Sequence, residues 1–396
     1  MATTAGVGHS FHRNPATAGR EAALRAMEGW ESKNPDFVFV FATVGYNQET
    51  LIRAIREATA GAPLSGCSGE GIITRETVAE TNFGVAVMAI SSDEFGFHNA
   101  CVRELAGGSH LAGELLAAEL EAHLDAEGIA TFLFADGLVF NFDTFRSAFE
   151  DRLGNTGVPP VFGGLAADNW SSHKTYQYHN DEVFSEGVSA VVISGKGNVA
   201  CGVNHGCVPI GSKRTITRCN GNIIREIDGI PALDALKDYF EEDWKRQWNK
   251  TSLNLCLGFM TPEHIRGHYE DYIIRYMMAK NDEEGSVTIQ SDVRDGTPLW
   301  IVRRDKELMT SGLRLLARDL NDEMGSAKPK FAVQFECVGR GKVVFREREK
   351  AELITSLQSD LGGEIPWIGF YSYGEIGPVA GFNCFHNFTS VVTVIY

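Results

Sequence analysis

The chain has 396 residues, 43% apolar and 22% charged, an ordinary globular composition and enough length for two or three domains. Its 36 basic and 52 acidic residues leave a formal charge of −16, which disfavours nucleic acid and anionic membrane surfaces as partners. The eight cysteines form no C-x-x-C pair, no apolar run nears the roughly 18 residues that span a bilayer, and Met1 to Arg20 lacks a secretory core. A cytoplasmic protein with reduced thiols and no membrane insertion is expected.

In chain order, residues 1–14 read as a mobile polar tail, and Asn14-Pro15 as a helix start. Phe37 to Val44 is an apolar run of strand length. Phe83 to Ile90 and Phe95 to Val102 predict an antiparallel pair around Ser91-Ser92-Asp93. A helix over His110 to Ala126 leads to a strand at Thr131 to Ala135. Strands follow at Thr175 to Tyr178, Val188 to Ile193 and Val199 to Val203, then a hairpin over Thr215 to Ile227 turning at Asn220-Gly221.

Pro231 suits the first turn of a helix running to about Trp248, so the domain boundary falls after residue 230, giving domains 15–230 and 231–396. The second domain predicts strands at Ser252 to Gly258, Tyr272 to Met278, Ser286 to Gln290, Leu299 to Val302 and Phe331 to Glu336, with a helix over Asp305 to Asp319. Val379 to Phe385 and Thr389 to Ile395 close the chain as strands.

One phrase recurs three times: a helix, then Pro-x-x-Gly, then a small residue and an acid. The copies are Pro63-Leu64-Ser65-Gly66 with Glu70, Pro160-Val161-Phe162-Gly163 with Asp168, and Pro366-Trp367-Ile368-Gly369 with Glu375. Their helices are Leu51 to Ala60, Phe145 to Leu153 and Ala351 to Leu361. A reused helix–strand–acidic turn unit argues for architecture first. The fold class expected is a mixed α/β (α+β) chain of two domains, with mixed parallel and antiparallel sheets flanked by helices.

These copies sit within longer motifs: Gly66-Cys67-Ser68-Gly69-Glu70, Phe162-Gly163-Gly164-Leu165-Ala166-Ala167-Asp168, Gly206-Cys207-Val208-Pro209-Ile210-Gly211, Asp228-Gly229-Ile230-Pro231, Phe335-Glu336-Cys337-Val338-Gly339-Arg340-Gly341, Gly369-Phe370-Tyr371-Ser372-Tyr373-Gly374-Glu375 and His386-Asn387-Phe388-Thr389. In this order, over about residues 35–396, the chain resembles the FIST family, with N-terminal and C-terminal FIST domains. The resemblance implies an intracellular small-ligand sensor working with a histidine kinase or other signalling protein. One subgroup of the family, NosP, binds haem b and senses nitric oxide.

The residues leave several chemistries open. A turn carboxylate at Glu70, Asp168 or Glu375 either meets a ligand amine or accepts backbone N–H bonds, and the second role needs no ligand. Tyr371 and Tyr373 flank Glu375, making it the expected ligand-facing acid. Arg340 reads as an anchor for an anion, a partner for a repeat acid, or a stitch between domains. His205 is the candidate axial ligand to haem b, ahead of His264, His268 and His386; His386 reads best as a hydrogen-bonding turn residue beside Glu375. Cys201, His205, Cys207 and Cys219 form a loose cluster without zinc spacing.

The rival readings are a haem-free sensor of an amino acid or other metabolite, an enzyme using Cys67 or the Glu70/Glu375 acids, and a ligand-free scaffold. No nucleophile elbow, H-E-x-x-H or P-loop accompanies these residues, so no enzyme is expected. The oligomeric state stays open.

Overall fold

The Pro-x-x-Gly phrase has one physical cause in all three copies. In this computed structural model each proline opens a strand and its carbonyl accepts the first bond of a parallel ladder: from Val38 N to Pro63 O, Thr131 N to Pro160 O and Ala332 N to Pro366 O, all 2.9 Å. Proline has no N–H to lose at a strand start. Three residues on, the glycine lies against the neighbouring strand. A Cβ there would stand 1.8 Å from Val40 O at Gly66, 1.9 Å from Leu133 O at Gly163 and 2.4 Å from Gln334 O at Gly369. No side chain fits.

The structure describes residues 3–30, 34–105, 107–123, 128–154, 158–240, 244, 246–362 and 364–396. They form two compact units. The first comprises Met1–Val203, Arg314–Phe385 and Ser390–Tyr396; the second comprises Asn204–Leu313 and His386–Thr389. This division follows a different course from a single boundary at residue 230.

The first unit opens with β1 (Thr4–Ser10), α1 (Pro15–Ala26), β2 (Phe37–Ala42), α2 (Gln48–Ala58), β3 (Leu64–Ser68), β4 (Ile72–Thr74), β5 (Val78–Ala79) and β6 (Val85–Ser91). The same order returns as β7 (Phe95–Val102), α3 (Gly108–Leu120), β8 (Gly128–Ala135), α4 (Phe142–Leu153), β9 (Val161–Leu165), β10 (Gln177–His179), β11 (Glu182–Phe184) and β12 (Val188–Gly195). Asn14, Asn47 and Asn141 cap α1, α2 and α4, each accepting a bond from the amide of a threonine three residues on.

A third round begins with β13 (Val199–Asn204) and is interrupted by the second unit. That unit holds β14 (Cys207–Pro209), β15 (Arg214–Asn220), β16 (Ile223–Ile227), β17 (Ile230–Pro231), α5 (Ala232–Leu236), α6 (Trp248–Asn254), β18 (Cys256–Met260), β19 (Tyr272–Arg275), β20 (Met277–Asn281), β21 (Ser286–Ile289) and β22 (Pro298–Arg304). Its strands run in the order β19-β18-β22-β15-β16-β21-β20 around a core that includes Ile216, Ile224, Leu257 and Leu299. The third round then resumes through α7 (Lys306–Met324), β23 (Phe331–Cys337), α8 (Glu347–Asp360), β24 (Trp367–Ser372), β25 (Glu375–Val379), β26 (Phe382–His386) and β27 (Ser390–Ile395).

The three sheets of the first unit are β1-β6-β2-β3-β10-β11, β7-β12-β8-β9-β25-β26 and β13-β27-β23-β24-β4-β5. Position by position they match. Each has one parallel pair at its centre (β2/β3, β8/β9, β23/β24) joined through a helix, with antiparallel neighbours. Each repeat also gives the strands after its acidic turn to another repeat's sheet: β4 pairs with β24, β10 with β3 and β25 with β9. The exchange is cyclic.

Alternation along the central strands builds the core. Phe37, Phe39 and Phe41 of β2 enter a common core with Phe132 and Phe134 of β8 and Val333 and Phe335 of β23, while Val38, Val40 and Ala42 face α1 and α2. Phe39 meets Phe134 at 6.1 Å, Phe134 meets Phe335 at 6.4 Å and Phe41 meets Phe370 at 4.5 Å between ring centroids. Each buried ring contributes on the order of 1.5–3 kcal/mol.

Several expectations are corrected. Residues 4–10 are a strand and not a mobile tail: Ala5 and Val7 reach the central core, and a Cβ on Gly6 or Gly8 would stand 2.1 or 2.2 Å from carbonyls of α1. The small residues that imitate a tail are what lets α1 close over β1. The pair expected around Ser91-Ser92-Asp93 does not form, because β6 joins β1 and β2 while β7 joins β12. That turn hands the chain from one repeat to the next.

The helix expected from Pro231 to Trp248 is short, ending in a 3-10 turn at Lys237–Tyr239, and its stretch 241–243 and 245 lies outside the described residues. Ser252 lies in helix α6 instead of a strand. The strand expected over Val379 to Phe385 is broken at Ala380 and Gly381, both with positive φ. The helix end expected at Ala126 also lies outside the described residues.

Candidate functional site

The three acidic turns meet. Glu70 N donates to Tyr371 O (2.9 Å) and Tyr371 N to Gly71 O (3.1 Å), locking the first turn onto the third repeat. Ala167 N donates to Ser68 O (3.0 Å) and Ser68 Oγ to Ala167 O (2.7 Å), locking the second onto the first. Leu165 N donates to Gly374 O (2.8 Å) and Tyr373 N to Leu165 O (3.0 Å), locking the third onto the second.

The acids are not equivalent inside this ring. Asp168 is a loop anchor. Its Oδ2 accepts from Ser171 Oγ (2.7 Å), His173 N (2.7 Å) and Lys174 N (3.0 Å), and its Oδ1 from Tyr373 Oη (2.8 Å) and Ser172 N (3.2 Å). Burial alone would raise its pKa, yet these donors hold it below the usual carboxylate range. Tyr373 Oη also accepts from Trp170 N (2.8 Å), and Asn169, Trp170 and Ser172 take left-handed φ values of 58°, 58° and 52°. Strained backbone held by one carboxylate is the kind found where a loop is shaped for a task.

Glu375 departs from the turn pattern. It starts β25 opposite Gly164, fully buried, and accepts from Ser372 Oγ at 2.7 Å. Arg340 is also fully buried, and its Nε donates to Glu336 Oε1 at 2.7 Å within the third repeat. Gln334 Nε2 donates to Glu336 Oε2 at 2.9 Å. The cation on Glu70 is Lys342.

Glu70 is the acid of the turn that borders a cavity. It is 2% exposed and lines a cavity of about 220 Å³ with Thr43, Val44, Gly45, Gly69, Thr81, Asn82, Phe83 and Asn169. Lys342 Nζ bonds Oε1 at 2.9 Å, while Oε2 is buried with no hydrogen-bond partner among the described residues. Burial pushes the carboxyl up to about 7, against the lowering effects of Lys342 and the Asn169 amide. Behind it, Glu80 Oε2 accepts from Lys350 Nζ (2.8 Å) and Lys342 N (2.6 Å), and Glu80 Oε1 and Tyr371 Oη are also unpartnered. Lys350 stands 5.5 Å over the Tyr371 ring. Three unsatisfied buried oxygens in one polar cluster call for an explanation.

Of the expected site residues, Glu70, Asp168, Tyr371 and Tyr373 join this ring of turns, and Glu375 and Arg340 sit in the third repeat. Lys342, Glu80, Lys350, Asn82 and Asn169 were missed. Gly339-Arg340-Gly341-Lys342 held the signal for Lys342: a Cβ at Gly341 would stand 2.4 Å from Glu80, so the glycine admits that carboxylate.

The histidine candidates lie in the second unit. His205 is 1% exposed; its Nδ1 accepts from Cys207 N (2.8 Å) and lies 3.0 Å from Glu270 Oε2, and its Nε2 is 3.0 Å from Tyr272 O. Both ring nitrogens are engaged, so the side chain as placed does not fit a haem iron ligand. His386 is buried beside Tyr269, 5.4 Å between centroids, and the adjoining Asn387 bonds Tyr276 N and Gln290. His386 belongs to the second unit and Glu375 to the first. His264 and His268 are exposed in turn structure and not on a helix. Among the described residues no group of three or more His, Cys, Asp or Glu is arranged to hold a metal ion. Cys67 is fully buried, and burial pushes its thiol well above the usual range, which makes it a poor nucleophile.

The first unit is thus a threefold α/β assembly with a small acidic cavity where its repeats interlock. The chain belongs to the FIST family: residues 36–230 match the FIST N domain and residues 232–378 the FIST C domain. FIST domains are small-ligand sensor domains used in signalling. Among its relatives is Mycobacterium tuberculosis Rv0628c, described as uncharacterized, 27% identical with 97% of both chains covered. A second is Mycobacterium bovis Mb0898c, also described as uncharacterized, 30% identical over 62% of this chain and 64% of that protein. Among solved structures, a chorismatase covers 100% of this chain and 98% of its own at 8% identity and a TM-score of 0.36. A cyanuric acid hydrolase from A. caulinodans covers 100% and 99% at 9% identity and a TM-score of 0.37. Likenesses at that level carry no argument about chemistry. No helix among the described residues is long and apolar enough to cross a membrane.

Proposed function

We propose that this chain senses a small metabolite in the Glu70 cavity and passes occupancy to a separate signalling protein, such as a histidine kinase. The observation that carries the reading is the cavity itself, lined by Gly69, Glu70, Asn82 and Asn169 where repeats interlock, with the buried Glu70 carboxylate beside it. A ligand there touches Asn169, whose loop is held by Asp168 and Tyr373, so occupancy has a route to exposed residues 171–174. Binding that differs between two loop arrangements would drive the output.

The test is a metabolite screen read by thermal unfolding. A true ligand at a hundredfold excess over Kd stabilises by about 2.7 kcal/mol. Hits should vanish in Glu70→Gln and weaken in Asn169→Ala. A screen without hits, or hits indifferent to both substitutions, sinks the reading.

A haem b version, sensing nitric oxide, would need His205 to give up its bond with Cys207 N or Tyr272 O. Protein supplied with haem should then show a Soret band that shifts with nitric oxide and is lost in His205→Ala. Colourless protein would remove this version and leave the metabolite reading standing.

A further inference from the structure

Two buried carboxylates share one lysine beside the strained loop. Lys342 Nζ bonds Glu70 Oε1 at 2.9 Å, while the Lys342 amide donates to Glu80 Oε2 at 2.6 Å. Behind Glu80, Lys350 Nζ bonds both Glu80 Oε2 (2.8 Å) and Glu347 Oε1 (3.1 Å). One oxygen of each buried carboxylate, Glu70 Oε2 and Glu80 Oε1, has no hydrogen-bond partner among the described residues. The amide of Asn169, where the left-handed stretch begins, faces the Glu70 carboxyl. Tyr373, which bonds Asp168, also lies within reach of the charge on Glu70.

We infer that Glu70 is a proton-operated latch on residues 169–174: ionised, it grips the Asn169 amide and Lys342, and protonated, it lets the loop loosen. An ionised carboxylate with acceptor sites unfilled is costly to bury, and Glu80 adds like-charge repulsion. Its counter-charge, Lys342, is 38% exposed and so partly screened by water. A proton removes these costs but gives up the charge-assisted bonds, which are roughly twice as strong as neutral ones. The two sides come near balance at neutral pH, since burial raises the carboxyl to about 7 in spite of Lys342 and Asn169. Asp168 is filled by its donors and held low, so only one of the loop's two anchors responds. A proton needs no pocket open to Oε2, and the Lys342 ammonium joins the carboxyl to water. By linkage, a partner that binds the loosened loop would favour the protonated acid. The latch needs no ligand in the cavity and so goes beyond the metabolite reading.

The test is carboxyl and amide NMR with hydrogen exchange on the full chain from pH 5.5 to 8.5, exchange rates being corrected for their intrinsic pH dependence. The amides of residues 169–174 should titrate with the Glu70 carboxyl carbon at one midpoint of about 7, and be protected roughly tenfold more at the alkaline end. Glu70→Gln should lose that midpoint and keep the less protected loop throughout. Lys342→Met, which removes the cation, should strengthen proton binding about tenfold or more. His173→Gln removes the exposed imidazole of the loop and should leave the midpoint in place. The wild-type titrations keep the test valid if Glu70→Gln or Lys342→Met fails to fold. Loop amides that do not follow the carboxyl, a Glu70 midpoint below about 5, or a transition that disappears with His173→Gln each overturn the latch and leave the metabolite reading standing. A blank metabolite screen beside an intact titration sinks that reading alone.

Discussion

The amide of Glu70 donates to the carbonyl of Tyr371 at 2.9 Å, joining the first acidic turn to the last repeat. The same turn sends its side chain to Lys342, also in the third repeat. Backbone and side chain of one residue are therefore both fixed by a distant part of the chain. That is why Glu70 Oε2 cannot swing out to water and stays as a buried, unsatisfied acceptor.

Glu70 should leave a signature in stability against pH. Its carboxyl is raised to about 7 when folded, so the folded state holds the proton more tightly than the unfolded chain. Stability from this group is present below the unfolded value near 4.5 and declines as pH rises to about 7, by on the order of 3 kcal/mol. Glu70→Gln should flatten that decline in urea denaturation between pH 5 and 8. An unchanged slope would show that Glu70 ionises normally.

Asp168 has the opposite sign. Its carboxyl is held low, so its stabilising effect is present above the unfolded value and is lost as pH falls through the folded one. Asp168→Asn should destabilise at pH 7 and lose this acid sensitivity. Tyr373→Phe removes the bonds to Asp168 and Trp170, worth about 1–3 kcal/mol together, and amide exchange should quicken over residues 169–174. Exchange confined elsewhere would refute the anchoring role.

Gly163→Ala forces a Cβ against Leu133 O at 1.9 Å, where only backbone movement can relieve it. The expected loss exceeds about 4 kcal/mol or abolishes folding. Gly29→Ala, with nothing near a new Cβ, tests position against composition, although its φ of 78° still costs about 1 kcal/mol. Similar stability in both variants would contradict the close-approach argument.

Glu336 and Arg340 are a buried pair. Arg340→Met strands the carboxylate and should cost about 3–5 kcal/mol, whereas Arg340→Met with Glu336→Gln should recover part of the loss. A double-mutant cycle read by chemical denaturation measures the coupling.

Much of the architecture was legible in the sequence, because Pro-x-x-Gly reports a local necessity that recurs with the repeat. The Asn14 cap, the Asn220-Gly221 hairpin and the apolar central strands are local in the same sense. Pairing between repeats was not legible. Nothing near Ser91 states that β6 turns back to β2 while β7 leaves for β12, since both strands are apolar enough for either partner. The acids misled for a related reason: Glu375 is spaced like a turn residue but starts a strand, and Glu70's partner Lys342 lies in a different repeat. His205 reads as a candidate iron ligand from the sequence, which does not show that Cys207 and Tyr272 engage its ring nitrogens.

The cyclic strand exchange also sets a timetable for synthesis. Strand β4 emerges early, but its partner β24 is made about 300 residues later, roughly 15–60 s at ordinary translation rates. Until then Ile72 and Ile73, buried in the finished chain, have only the two-residue β5 to pair with. The nascent chain thus carries an open apolar edge for most of its time on the ribosome, an edge on which a chaperone would act before any ligand could.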